Sequence, residues 1–338
     1  MFPDERNALR WDAFVMECPG ATFFHRAGWQ RILREVFRHD THFLYVETDG
    51  RIEAVLALAH VRSLLFGHSL VSLPFAVYGG VAANTPQAAD ALEEAAQALA
   101  QRLRVAHLEL RNVAARPVDW PIQDLYVTFR KPILPLDEAN LQAIPRKQRA
   151  MVRKGVANGL RSEIDEGVER FFGLYADNVH RHGTPALPKR YFVELQREFG
   201  ADCDIQTVID AQGQPLSSVL SFYFRDEVLP YYAGDAVTAR SAAANDFKYW
   251  ELMRRARQRG LKVFDYGRSK RGSGSYAFKK NWGFEPLPLH YAYCLYKRDA
   301  VPQLNPSNAR FDLAIRAWRR LPIGMANWLG PMVVRNLG

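Results

Sequence analysis

The sequence predicts an α/β (α+β) protein made of two similar domains in tandem, each a mixed sheet flanked by helices, followed by a C-terminal helical tail. Three observations carry this. The chain has 338 residues, long for one core and suited to about two. Its 48% hydrophobic and 24% charged shares are those of a globular chain. And one order of elements occurs twice, at matched spacing.

The first half begins with THFLYVETDGRIEAVLALAHV (Thr41 to Val61), which reads as strand, Asp-Gly turn, strand. A third strand, SLVSLPFAVYGGVAA, ends at Gly79 and Gly80. The helix AADALEEAAQALAQRL follows, with Leu92, Ala95, Ala96, Leu99 and Leu103 on one apolar stripe. The strand VAHLELRN closes the set. In the second half DIQTVIDAQGQPLSSVLSFYF is the hairpin, VLPYYAGDAV the third strand, NDFKYWELMRRARQRG the helix and LKVFDYGRS the last strand. Tyr249, Met253 and Ala256 form its helical stripe, Asn245 or Asp246 is the expected N-cap, and Gly260 stands where a C-terminal glycine belongs. Gly79 precedes Glu109 by 30 residues and Gly234 precedes Asp265 by 31. This echo predicts a duplicated domain. A helix between two strands of one sheet predicts a crossover with locally parallel pairing. The expected division is 1–136, 137–300 and a basic amphipathic tail, 301–338.

The net charge of +9, with arginine far ahead of lysine, favours an acidic partner. Cys18, Cys203 and Cys294 are far apart, with no C-x-x-C, so neither a disulfide framework nor a zinc site is indicated. The start, MFPDERNALRWDAF, has no apolar core of signal-peptide length, and no run of 18 apolar residues occurs. The expected location is cytoplasmic. The tail interleaves Arg316, Arg319, Arg320 and Arg335 with Ile315, Trp318, Leu321, Ile323, Trp328 and Leu329. It could rest on the inner membrane surface or pack back on the body.

Familiar catalytic motifs are missing: there is no nucleotide P-loop and no G-x-S-x-G elbow. His180 and His182 lack a metal-spaced partner, and no metal is expected. The stretch FDYGRSKRGSGSYAFKKNWGFEP (Phe264 to Pro286) is different. A strand exits through Gly267 into a loop with Arg268, Ser269, Lys270 and Arg271, then Gly272, Ser273 and Gly274. A helix starting near Ser275 would offer free N–H groups to an anion. Phe278 and Trp282 share its buried face, with Tyr276, Lys279 and Lys280 beside it. Between the halves, PRKQRAMVRKGVANGL carries Arg146, Lys147, Arg149, Arg153 and Lys154, a candidate polyanion contact or a solvated helix face.

At these residues the chain resembles the FemAB family, whose members carry two tandem acyltransferase domains of the GNAT type. The resemblance covers about residues 10 to 297 and is strongest at SLPFAVYGGV, at NDFKYWELMRRARQRGLKVFDYGRS and at YAFKKNWGFEP. It looks most like the branch associated with exosortase and exopolysaccharide loci. The resemblance implies transfer of an acyl or aminoacyl group from a carrier to an amine of an envelope or exopolysaccharide-related acceptor. The donor would be an aminoacyl-tRNA or an acyl-CoA or acyl-carrier thioester, with no tightly bound cofactor. The partners would be a phosphate-bearing envelope precursor and tRNA. Lys279 stands where the family has a lysine near the acceptor phosphate and the developing oxyanion, with Tyr276 a proton relay or a packing residue. Arg268, Ser269, Lys270, Lys280, Asn245 and Tyr232 complete the expected substrate-binding set; Arg146, Arg149, Arg153 and Lys154 match the family's basic run, with Gly155 at its small position. The acetyltransferase pyrophosphate loop is replaced by DAVTARSAAAND, and no long helical arm is inserted in the second half. The rival reading is a non-catalytic binder of anionic glycan, nucleic acid or a membrane surface.

Overall fold

The computed structural model describes residues 5–63, 67–117, 119–302 and 312–336. Residues 1–4, 64–66, 118, 303–311 and 337–338 lie outside this set, among them the ends of the N-terminal and tail segments read above.

Helices α1 (Glu5–Glu17) and α2 (Trp29–Glu35) precede the hairpin β1 (Asp40–Thr48) and β2 (Arg51–Ser63). It turns at Asp49 and Gly50, both at positive φ, as a two-residue Asp-Gly hairpin demands. Then come β3 (Gly67–Val71), β4 (Ala82–Ala83), α3 (Pro86–Arg102), β5 (His107–Asn112) and β6 (Ile122–Gln123). Thr85 caps α3 by accepting the Ala88 N–H, with Pro86 just inside the first turn. The buried stripe of α3 runs through Leu92, Ala96, Leu99 and Ala100. Ala95, expected on it, is exposed: at 100° per residue it falls beyond the edge of that stripe.

The chain continues through β7 (Tyr126–Pro132), α4 (Asp137–Ala143), α5 (Arg146–Ala157), β8 (Arg161–Asp165), α6 (Glu169–Arg181) and α7 (Lys189–Phe199). The second hairpin is β9 (Cys203–Ile209) and β10 (Pro215–Phe224), followed by β11 (Glu227–Asp235), α8 (Ala239–Ala242), α9 (Ala244–Gln258), β12 (Val263–Asp265), β13 (Ser269–Lys270), α10 (Gly274–Asn281) and β14 (Pro286–Pro288). Last are β15 (His290–Leu295), α11 (Asp312–Arg320) and α12 (Ile323–Val334).

Two sheets result. The first has the order β1-β2-β3-β5-β15-β6, with β4 on β2; the second has β13-β7-β12-β11-β10-β9-β8, with β14 on β7. The expected parallel pairs are present: β3 with β5 across α3, and β11 with β12 across α9. The division into compact units differs from the contiguous ranges read from sequence. One unit comprises described residues of Met1–Tyr126, Pro288–Leu304 and Arg335–Gly338, the other those of Val127–Leu287 and Asn305–Val334. Strand pairing is the reason. β7 hydrogen-bonds to β12 in the second sheet, and β15 joins β5 in the first.

The first unit's core is Leu56, Leu58, Leu70, Leu92, Leu99, Leu108 and Leu110. The second buries Phe129, Val219, Leu252, Met253, Phe264, Trp282 and Phe284 between its sheet and the helices α9 and α10. Each such side chain contributes about 1.5–3 kcal/mol when fully buried. The start of α9 departs from expectation. Its N-cap is Ala243, left-handed at φ +63°, and neither Asn245 nor Asp246 caps it. The short α8 ends just upstream, so a left-handed residue, not a capping side chain, turns the chain into α9.

Candidate active site

All the site residues read from sequence fall in the second unit. Strand β12 ends at Asp265, a carboxylate 3% exposed. Its Oδ1 accepts the Gly267 N–H at 2.8 Å and the Thr128 hydroxyl at 3.3 Å, and its Oδ2 lies 3.6 Å from Arg130 Nε. Asp265 therefore anchors the loop. Gly267 has φ +66°, a left-handed bend that a side chain would strain by about 1–2 kcal/mol. Ser269 and Lys270, expected in a loop, form the edge strand β13 beside β7. Ser273 then caps α10, its Oγ accepting the Tyr276 N–H at 3.2 Å while donating to the Lys270 carbonyl at 2.7 Å.

Lys279 is buried on α10. Its Nζ donates to the carbonyls of Gly267 at 2.9 Å and Arg268 at 3.0 Å. It also stands over the rings of Phe129 at 5.6 Å and Tyr266 at 5.5 Å, within cation–π range. Burial pushes its pKa down to about 7; Arg268 adds to the fall and Asp265 opposes it. The lysine thus clamps the loop. Among the described residues the buried hydroxyls of Tyr266 and Ser269 have no hydrogen-bond partner, and such groups cost about 1–3 kcal/mol each when left so. Tyr276 is half-buried and meets Phe129 edge-on at 5.5 Å, while Lys280 is exposed. Arg268 and Lys270 are half-buried at the loop.

A second polar cluster escaped the sequence reading. Lys248 is fully buried, with Nζ 3.0 Å from Asp235 Oδ1 and 4.8 Å from the Tyr249 ring. Burial opposes its charge, but Asp235 and Tyr249 outweigh it and hold its pKa up. Asp235 also accepts from the Ser217 hydroxyl. Asp246 is buried and its carboxyl pKa is raised by that burial, against the Trp282 Nε1–H it accepts at 2.9 Å. A chain of ring contacts joins the two clusters: Lys248 over Tyr249, Tyr249 against Tyr266 at 4.7 Å, and Tyr266 under Lys279. The signal was present, because Lys248 lies four residues from buried Ala244 and four from buried Leu252, on the inward register of α9.

Helix α5 buries Val152 and Gly155. A Cβ on Gly155 would lie 2.8 Å from Phe247 Cβ, so the close seating of α5 on α9 requires glycine. The outer face carries Arg146, Lys147, Arg153 and Lys154, all exposed, with Arg149 half-buried. Among the described residues none of the five has an ion-pair partner. Asn245 lies half-buried in the first turn of α9. Tyr232 is a correction. Successive strand residues point to opposite faces, and its neighbour Ala233 packs on the α9 side. Tyr232 itself faces α6 and α7, its ring against Tyr175 and Phe192 and its hydroxyl 3.1 Å from that of Tyr191. It belongs to an aromatic core on the other side of the sheet. His180 donates from Nε2 to the Trp318 carbonyl at 3.2 Å, a packing role.

A helix-crossed mixed sheet, built twice, with a helix after the last parallel strand, is the architecture of acetyltransferase-type proteins. Residues 142–280 match the family model of the GNAT acetyltransferase domain. The fold is a FemAB-like tandem GNAT fold. FemX superposes with a TM-score of 0.66 at 15% identity, over 84% of this chain and 96% of that one. A C-terminal domain assigned to a lysylphosphatidylglycerol synthetase of Agrobacterium fabrum gives 0.58 at 14%, over 85% and 91%. A tandem GNAT protein from the clavulanic acid biosynthesis pathway gives 0.52 at 13%, over 88% and 97%. A search of curated proteins returned no match.

Proposed function

We propose that the protein is an N-acyltransferase that moves an activated acyl or aminoacyl group onto an amine of a phosphate-bearing envelope or exopolysaccharide-related acceptor. The acyltransferase fold supports the reaction class, and the likeness to FemX and to a lysylphosphatidylglycerol synthetase domain supports the acceptor class. The observation that carries the reading is Lys279, a lysine with a pKa of about 7 buried under a glycine loop whose carbonyls it holds.

In the reaction the acceptor nitrogen attacks the donor carbonyl carbon. The bond to the carrier breaks, the carrier leaves as alcohol or thiol, and the amine proton passes to a base. An ammonium has three N–H donors, and two of those on Lys279 hold the loop carbonyls. The third serves the acceptor phosphate or the oxyanion that develops on the carbonyl. An approaching anion raises the lysine pKa above its resting value and so keeps it charged in the complex. A fixed cation aimed at developing charge is worth about 3 kcal/mol. The unpaired face of α5 receives the polyanionic carrier, in our reading an aminoacyl-tRNA. A coenzyme A diphosphate is less suited, because the segment leading into α9 reads DAVTARSAAAND in place of the acetyltransferase pyrophosphate loop.

The test is mass spectrometry of envelope precursors incubated with purified protein and either aminoacyl-tRNA or acyl thioester. A mass increment on an acceptor amine is expected, lost in Lys279→Ala. No increment with either donor class overturns the reading. The unpaired cations of α5 also fit a non-catalytic polyanion binder; steeply salt-dependent RNA or glycan binding without any covalent product would favour that second reading.

A further inference from the structure

The C-terminal helix pair has one face the catalytic reading does not use. Helix α11 is tied down on one side, where the Trp318 carbonyl receives His180 and Arg319 donates to the His182 carbonyl at 3.1 Å. Its other side is exposed and presents Leu313, 77% accessible, with Arg316 and Arg320. Neither arginine has an ion-pair partner among the described residues. Helix α12 packs on α6 and buries Ala326, Gly330 and Val334, with Gly330 against the backbone of Ala186. The opposite face is apolar and open: Met325, Trp328 and Met332 are exposed, Trp328 at 67%. At 100° per residue these three lie within about 60° of one another.

We propose that α11 and α12 dock on an anionic bilayer surface, with the Met325–Trp328–Met332 face in the interfacial layer and Arg316 and Arg320 on lipid phosphates. Three considerations select this occupant. Twelve residues of helix span about 18 Å, too short for the roughly 30 Å hydrocarbon core, so α12 lies in the surface. Tryptophan and flexible apolar side chains beside arginine are the composition of an interfacial helix, where the rings sit at headgroup level and the guanidinium groups reach the phosphates. A second copy fits poorly: from Leu313 to Asn336 there are four arginines and no acidic residue, so self-pairing would appose like charges.

The test is sedimentation of the full chain with vesicles of equal parts phosphatidylcholine and phosphatidylglycerol, against vesicles of phosphatidylcholine alone. Binding to the mixed vesicles is expected, at least tenfold tighter than to the neutral ones and weakened by salt. The triple variant Met325→Ser, Trp328→Ser, Met332→Ser should lose it. Arg316→Gln with Arg320→Gln should weaken it about thirtyfold, at about fivefold per arginine. All five side chains are exposed, and unchanged circular dichroism verifies that the variants keep their fold. No binding to mixed vesicles, or binding that the triple variant retains, overturns the proposal. So does a concentration-dependent dimer that the triple variant abolishes without any vesicle binding, which would assign the face to a second copy. Binding is read without turnover, so its failure is separate from failure of the transfer reading.

Discussion

The two halves close the end of their last parallel strand with a buried cation, and they do it differently. In the first unit the penultimate residue of β5 is Arg111, whose Nε donates to Glu109 Oε1 at 2.7 Å and whose NH1 donates to the carbonyls of Leu73 at 3.3 Å and Ala76 at 2.8 Å. The neighbouring Ser72 hydroxyl accepts the Arg111 N–H at 2.7 Å. That end is a structural lock built around a permanent charge. In the second unit the clamp is Lys279, delivered from a separate N-capped helix, without a carboxylate in hydrogen-bonding contact and with a pKa near neutrality. The first strand end is rigid framework; the second keeps a titratable group at a glycine loop.

The contrast can be broken in four ways, the largest effect first. Arg111→Ala should destabilise the protein by about 3–5 kcal/mol in urea denaturation, because it strands the buried Glu109 carboxylate. A small loss would show that the first clamp is not a lock. Lys279→Ala should leave the protein folded and slow transfer about a hundredfold, equivalent to about 3 kcal/mol; unchanged turnover would make the two clamps alike.

The third uses pH. The folded Lys279 pKa is depressed to about 7, so between there and the ordinary lysine value the unfolded chain binds more protons. Stability from this group therefore rises with pH across that window, and its burial costs most below pH 7. Lys279→Met should stabilise the protein more at pH 6 than at pH 9, by about 3 kcal/mol, since about two pH units lie above the folded pKa at about 1.4 kcal/mol each. Arg111 stays charged throughout and should give no such slope. For transfer, kcat/KM carried by the Lys279 cation should fall as pH rises through about 7, and a rising limb there that Lys279→Met removes would assign it the role of base instead. The smallest effect concerns the cap. Ser273→Ala removes the acceptor for the Tyr276 N–H and should cost about 1 kcal/mol, read as a lower thermal midpoint.

Much of this was legible in the chain because it is local. The Asp-Gly hairpin, the cap-and-glycine pattern of α10 and the acid-free basic run of α5 depend on neighbours a few residues apart. The glycine loop that leads into α10 was recognisable from its glycines and serines. What was misread depends on which face a strand presents or on what stands beside it. Tyr232 sits one residue from Ala233, and only the second sheet's packing decides that it faces α6 and α7. The Asp246 carboxylate looked like a cap, but Trp282, 36 residues away, holds it. Lys248 looked like any helix lysine until Asp235 was seen beneath it.

By itself the sequence determined the repeat, the element types and the residues that gather charge near Lys279, since periodicity, turn chemistry and composition are properties of short segments. Only the tertiary structure decided that β7 joins the second sheet and β15 the first, because the hydrogen bonds of a strand edge can be satisfied by any strand that reaches it. It likewise decided the state of Lys279. A pKa near 7 follows from burial, which strips water from one nitrogen and outweighs the nearby Asp265 carboxylate, and the residues that bury it come from β7, β12 and the loop after it.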